Sequence, residues 1–538
     1  MKVTPDTDQL TKRVLVAAAR RLWARPARAA NARIRPRQKA QFATAIGLAT
    51  AFIVGGAGIT SLGGASASAS PTTVYVTAGG TGKCGTDTAA NGLPTLFEAI
   101  SCASSSGDTI SIGPGKFPGA VTLGSAPGSS GAPITLTVEG AGANLTTITE
   151  PATAPAVGTP LLKIFPNATV TVKDLSVDGG NHDSGIDGTT GTLTVEAVQV
   201  RHTIPWVGGP GGGPDAFGAI GLEPPAGGVA DLTVTGTTVA DNQSFGGIGP
   251  AGITLDSQAS PASKATLVND TVTTSGNLGA GFGTGAGVVL YGTNATLVND
   301  TIDANLGALY SGGLYAGYNP ATSAPTTVSV ANSIIAANTS DDSTLPPDCL
   351  QSEAGVVVNK GHNLVGADIG ASAGHALFGG FGYGCGLAGA VGGDLSGTIT
   401  SLTSALGGGA TPTTYTSLPV TPLVRDIPTG ASLVLAGTTP QVLTTTQAAP
   451  AGATSIAVQA FNPGFATSGT LVVYELPAGL GPLAQNGGPT ETQALLPASP
   501  AIGTGNASTC NSAVVKGLDQ RGDPRNATAL GGVRHRRL

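Results

Sequence analysis

The stretch "ATLVND" at Ala265–Asp270 returns unchanged at Ala295–Asp300. It belongs to a looser series of six segments, each an apolar residue, four intervening residues and a second apolar residue. They are Val172–Val177, Val195–Val200, Val234–Val239, Leu267–Val272, Leu297–Ile302 and Val330–Ile335, with first positions 23, 39, 33, 30 and 33 residues apart. Thr and Val dominate them, which favours strand over helix. "TLTVEAVQV" (192–200) and "DLTVTGTTV" (231–239) alternate as half-buried strands do. Beyond the second apolar position stands Asn242, Asn277, Asn305 or Asn338, a residue type that tolerates a left-handed corner. A Gly-rich link then leads into "GPAGITL" (249–255), "GAGVVLY" (285–291) or "SGGLYAG" (311–317).

A period near thirty with short strands and tight corners predicts one coil of a right-handed parallel β-helix per repeat. One coil cannot bury its inward side chains alone. Stacking equivalent positions at the strand spacing of about 4.8 Å lets each coil pair with the next. Leu267 is expected to rest on Leu297, and Asn269 and Asn299 to share side-chain hydrogen bonds. A β-sandwich of ordinary hairpins is the rival architecture, but it gives no reason for identity thirty residues apart.

The start of the body agrees. In "TLFEAISCASSSGDTISIGPGKFPGAVTL" (95–123), Leu96, Ala99 and Ile100 form a small apolar helical face ahead of the strand "TISIG". A short amphipathic helix here would cover the bare edge of the first coil. The stretch resembles the N-terminal cap of pectin-lyase-like right-handed β-helix proteins.

Charge divides the chain. Residues 1–40 hold 11 of the 25 Lys and Arg, with only Asp6 and Asp8 opposing them; the rest has 14 basic and 29 acidic residues. A body that acidic repels nucleic acid and anionic membrane. Residues 41–82 carry no charge, and Ala43–Leu62 is a long apolar run followed by "GASASA" (64–69). Basic, apolar and small-residue regions in that order are expected of a secretory signal. A twin-arginine reading of Arg20-Arg21 places the apolar run too far downstream. An uncleaved anchor is the stronger alternative, and the only membrane contact expected. Gly and Pro are 83 and 37 of 538 residues, yet hydrophobic residues reach 40% and charged ones only 10%, the composition of a folded, turn-rich chain.

An exported chain can form disulfides. Cys84–Cys102 and Cys349–Cys385 are the sequence-local pairs, leaving Cys510 over. No CxxC spacing is present, so a zinc site is not expected.

The repeat loses its regularity after Asp348. "GHNLVG" (361–366), "GPLAQNGGPTETQALLPASPAIGTG" (481–505) and "DQRGDPR" (519–525) resemble the C-terminal region of choice-of-anchor Q domain proteins, exported bacterial β-helix proteins without a common activity. The resemblance implies a secreted or surface-held protein. It departs at Gly503, where the group usually has Asp, and in the tail "GGVRHRRL" (531–538). Between the matching parts, 423–475 has its own alternation and turns and resembles the short β-modules of bacterial surface and phage tail proteins. The expected organisation is a signal peptide over 1–69, the parallel β-helix over 70–404, an inserted small β-domain over 405–477, and the rest of the β-helix domain with a tail over 478–538.

Glycan chemistry on such a scaffold needs paired carboxylates, or acids holding Ca²⁺ beside a base. Few charges fall on the expected strands. The one dense cluster is "VDGGNHDSGID" (177–187), with Asp178, His182, Asp183 and Asp187. The register stacks Asp178 on Arg201, with His202 beside it. The functional reading is an acid/base or metal site, Ca²⁺ being the only cofactor in view; the structural one is a polar corner with a surface ion pair worth little. Four of the eight tyrosines, Tyr291, Tyr310, Tyr315 and Tyr318, lie close together. They are either a glycan-contact patch or aromatic plugs in wide coils. The expected function is a non-catalytic binding, adhesion or structural role at the cell surface or in the medium, with an extracellular glycan or surface component as partner. The alternative is a polysaccharide lyase or glycoside hydrolase working at Asp178–His202.

Overall fold

A computed structural model describes residues 72–525, except 104–105, 126–131, 154–156, 205–217, 226, 245–250, 258–262, 278–286, 308–310, 318–324, 341–346, 353–354, 368–382, 388–391, 408–413, 424, 436–440, 463–464 and 467. The expected signal peptide, the basic tail, Tyr310 and Tyr318 lie outside the described residues.

The chain is an all-β, parallel β-helix. Each coil contributes one strand to a first, a second and a third sheet, and the strands stack in order along each. The first sheet runs through Val172, Val195, Val234, Leu267, Leu297 and Val330, each the direct partner of the next. The second runs through Val177, Val200, Val239, Val272, Ile302 and Ile335 in the same way. In the third, Ile253 pairs with Val288 and Val288 with Leu314. The repeat read in the sequence is therefore the register of the fold. These side chains are wholly buried in one core, whose continuity no single coil could supply.

The corners come from the same residues. Two positions after each first-sheet apolar residue, Asp174, Ala197, Gly236, Asn269, Asn299 and Asn332 all adopt positive φ, between 53° and 61°. Asn299 donates its side-chain N–H to Asn269 Oδ1 at 3.2 Å, as the repeat predicts. The other corner differs from expectation. Its left-handed residues are Asp241, Thr274, Ala304 and Ala337, not the neighbouring Asn242, Asn305 and Asn338. Those three point inward and are buried. Asn305 Oδ1 accepts the Ser275 N–H and Asn338 Oδ1 the Asn305 N–H, while their amide groups donate to Val272 and Ile302 carbonyls in the coil before. Asn serves there because its amide matches backbone groups that the turn would otherwise leave unpaired.

The first strand, Thr73–Val76, precedes the stretch read as the cap and pairs with Asp108–Ile112. Between them lies helix α1 (Leu96–Cys102), capped by Thr95, whose hydroxyl accepts the Glu98 N–H. Leu96 and Ala99 are buried in the common core. Both expected disulfides form: Cys84–Cys102 ties α1 down, and Cys349–Cys385 closes the third sheet near its far end. Cys510 is free and buried.

Residues 398–474 leave the coil pattern for antiparallel pairing. Thr398–Ser401, Ser432–Leu435, Gln441–Thr444 and Leu471–Tyr474 form one sheet, over a separate core that includes Leu418, Val420, Leu433 and Ile456. After this module the chain turns back over the β-helix. Gln520 is the pin: it accepts from the Thr271 hydroxyl at 2.7 Å and donates to the Thr237 carbonyl and to Thr490 Oγ1. Gln493 donates to Asp303 Oδ2, and Arg525 to Asn269 Oδ1. This strap lies against the outward residues of the second sheet and the corner beside it.

Candidate functional site

The acidic cluster sits where the second sheet turns into the third. Strand Ser176–Asp178 ends the second-sheet part of its coil, and Ser184–Gly188 begins the third-sheet part. Between them Gly179 carbonyl receives both the His182 and Asp183 N–H, winding the chain into a tight turn in which Gly180 and Asn181 are left-handed. Gly180 suits the turn because its φ of 61° lies in the left-handed region that favours glycine.

Asp178 and Arg201 are register partners, but they do not pair through their side chains. Arg201 reaches Glu491 of the strap instead. Asp178 Oδ1 is 3.1 Å from His202 Nδ1, and both side chains are about two-fifths exposed, at 42% and 41%. It also accepts the Gly180 N–H.

The second group is Glu150, His182 and Asp183. His182 Nδ1 lies 2.8 Å from Asp183 Oδ1 and 3.5 Å from Glu150 Oε1. Asp183 is fully buried, and its Oδ2 has no hydrogen-bond partner. Desolvation pushes its carboxyl above the usual carboxylate range, opposed by the hydrogen bond and charge of His182.

Asp187 stands apart on the third sheet, beside the register partner Lys163. Its Oδ2 accepts the Ser184 hydroxyl and its Oδ1 has no partner. Burial dominates, pushing its pKa up to about 8 against the opposing effects of Ser184 and Lys163. The carboxyl is accordingly mostly protonated at neutral pH. The six residues singled out in the sequence thus divide four ways: Asp178 with His202, Asp183 with His182, Arg201 with Glu491 and Asp187 with Ser184.

Glu150 and Glu491 were not foreseen. Glu150 was within reach of the register, because Thr149 pairs with Asp178; extending the series one coil back places Glu150 beside the turn. Nothing in the periodicity points to Glu491, which arrives from a segment 290 residues distant.

Of the four tyrosines, Tyr291 and Tyr315 lie among the described residues. Tyr315 is 5% exposed and packs with Val289 and Leu350 on the outer side of the third sheet. Tyr291 meets it edge-on at 5.6 Å between centroids. Gly317 makes room for both rings, since a Cβ there would lie 2.5 Å from each.

No known family and no curated protein matches the chain. Among solved structures, the A-module of the mannuronan C-5 epimerase AlgE4 of Azotobacter vinelandii is similar at 14% identity, with a TM-score of 0.26 over 55% of this chain and 78% of that one. ORF18 of Geobacillus virus E2 is similar at 10% identity, with a TM-score of 0.24 over 76% of this chain and 80% of that one. The AlgE6 A-module of A. vinelandii gives 14% identity and a TM-score of 0.20, over 54% and 92%. Likenesses this distant carry no activity over to this chain.

Proposed function

We propose that this is an exported β-helix protein, secreted or held at the cell surface, with a non-catalytic role in binding, adhesion or structure. Its partner is an extracellular glycan or another surface component. The observation that carries the reading is the Arg201–Glu491 ion pair. Arg201, the register partner of Asp178, is paired with the chain's own C-terminal strap, which lies along the face a long polymer would otherwise follow. Export is supported by the basic, apolar and small-residue order of 1–69 and by two disulfides, which fit an oxidising compartment.

Membership of the choice-of-anchor Q group belongs to the same reading. Its support is the motif resemblance over 481–525, and the structural work of the motif's own residues: Gln520 pins the strap, while Asp519 holds Arg521. The motif on this view serves to close the fold and not to form a reaction centre.

The enzyme reading retains one favourable observation, the exposed Asp178–His202 pair, an acid and a base side by side. One experiment separates the two. Full-length protein is fractionated between medium, wall and membrane, then tested on polyuronides and wall glycans for both retention and product. The non-catalytic role predicts protein outside the cytoplasm and retention without product. Product formation by the intact protein, lost in Asp178→Ala, would establish the enzyme reading in its place.

A further inference from the structure

We propose that Glu150, His182 and Asp183 bind a divalent transition cation of the Zn²⁺ type. The proposal does not rest on the surface role above, and would stand or fall on the isolated protein.

Three metal-ligating side chains converge here from two coils. One ligand atom from each lies within 4.8 Å of the other two, and among the described residues no other His, Cys, Asp or Glu group of three does so. Donors about 2.0–2.2 Å from a tetrahedral ion stand roughly 3.4 Å apart. The Glu150–His182 separation of 3.5 Å already has that value. The 2.8 Å between His182 and Asp183 Oδ1 is a hydrogen bond that a bound cation would replace.

The independent observation is Asp183 Oδ2. The side chain has no exposed surface, and no protein group among the described residues bonds this oxygen. Burying a carboxylate oxygen without a partner is costly, and a cation shared with His182 and Glu150 supplies the partner. Gly180 passes over Glu150 with no side chain between, and the His182 carbonyl is held by the Gly158 N–H. His182 and Glu150 each remain 29% exposed, leaving an open coordination position for water or a ligand group.

The donor set selects the class of ion. One imidazole with two carboxylates suits Zn²⁺, Mn²⁺, Co²⁺ or Ni²⁺. Ca²⁺ and Mg²⁺ prefer six or more oxygens, which this turn does not provide. The chain's CxxC-free cysteines play no part.

The test uses full-length protein without a histidine tag, treated with EDTA and titrated with ZnCl₂ by calorimetry. One saturable site of micromolar affinity is expected, with a higher melting temperature in Zn²⁺ than in EDTA. X-ray absorption of the loaded protein should show nitrogen and oxygen ligands with a single imidazole. His182→Ala should abolish the site, and Glu150→Gln should weaken it at least tenfold. Both side chains are partly exposed, so both variants should melt in EDTA like the parent, separating lost binding from lost folding. Absence of saturable binding in the parent, or unchanged binding in both variants, would overturn the proposal. Displacement of Zn²⁺ by equimolar Ca²⁺ would overturn the assigned class.

Discussion

Asp270 donates its backbone N–H to Asp300 Oδ1 at 3.0 Å, and both carboxyl groups are buried. These are the final residues of the two identical hexapeptides, so the repeat stacks acid on acid inside a corner. The ladder continues in both directions: Thr237 N–H to Asp270, Asp300 N–H to Ser333, Ser333 N–H to Asn363 and Asn363 N–H to Asp394. Each side chain closes the backbone of the coil before it.

A consequence is inverted pH behaviour. Desolvation raises the Asp300 pKa from 3.8 to about 8, despite Arg525 nearby, and raises Asp270 well above 3.8, with Asp300 adding to the effect. The folded chain keeps these protons where the unfolded chain has released them. Stability from these groups is therefore present at mildly acidic pH and lost as pH rises from about 4 towards 8, at up to roughly 1.4 kcal/mol per pH unit for each proton. Urea melts across that range should show the decline. Asp300→Asn should reduce its slope, and an unchanged slope would mean that Asp300 is ionised in the fold.

The stacked core should couple neighbouring coils. Leu267 and Leu297 are register partners with no exposed surface. Either Leu→Ala change should cost about 2–5 kcal/mol in chemical denaturation. The double variant should depart from additivity, because the two share a cavity. Strict additivity would indicate that the leucines do not touch.

Gln520 should matter more than its surface position in the sequence suggests. Gln520→Ala leaves the buried Thr271 hydroxyl without its acceptor, a loss of about 1–3 kcal/mol, and removes the ties to Thr237, Thr238 and Thr490, which each keep another partner. Limited proteolysis should then cut within 478–525 faster than in the parent, while the coils resist. Equal cutting rates would show the strap to be held by other contacts.

Gly317→Ala should disturb the ring pair. A methyl group 2.5 Å from both Tyr291 and Tyr315 forces one ring aside, at about 1–3 kcal/mol. Near-ultraviolet circular dichroism should change together with the melting temperature.

Much of this was legible because a coil repeats its physics. Inward Val and Leu must recur at one position, and Val172 through Val330 fix the first-sheet register without coordinates. Thr73–Val76 was hidden, since one strand has no repeat to align with before α1 intervenes. The corner asparagines were half legible: Asn269 and Asn299 bend the chain as their residue type suggests, but Asn242 turns inward to bond backbone, a choice set by depth and not by propensity. The polar cluster was legible as a cluster only. Which acid meets which base depends on Glu150, one coil away, and on Glu491, brought in by a strap that obeys no period.

Coil-on-coil stacking is tested most directly by paired spin labels on outward positions of the first sheet. Thr266 and Thr296 are register partners, and Ser329 follows in the next coil; the buried Cys510 stays unlabelled. Labels at 266 and 296 should show strong dipolar broadening, and labels at 266 and 329 distinctly less, in step with a strand spacing of about 4.8 Å. Absence of broadening in the first pair, or equal broadening in both, would contradict the parallel β-helix.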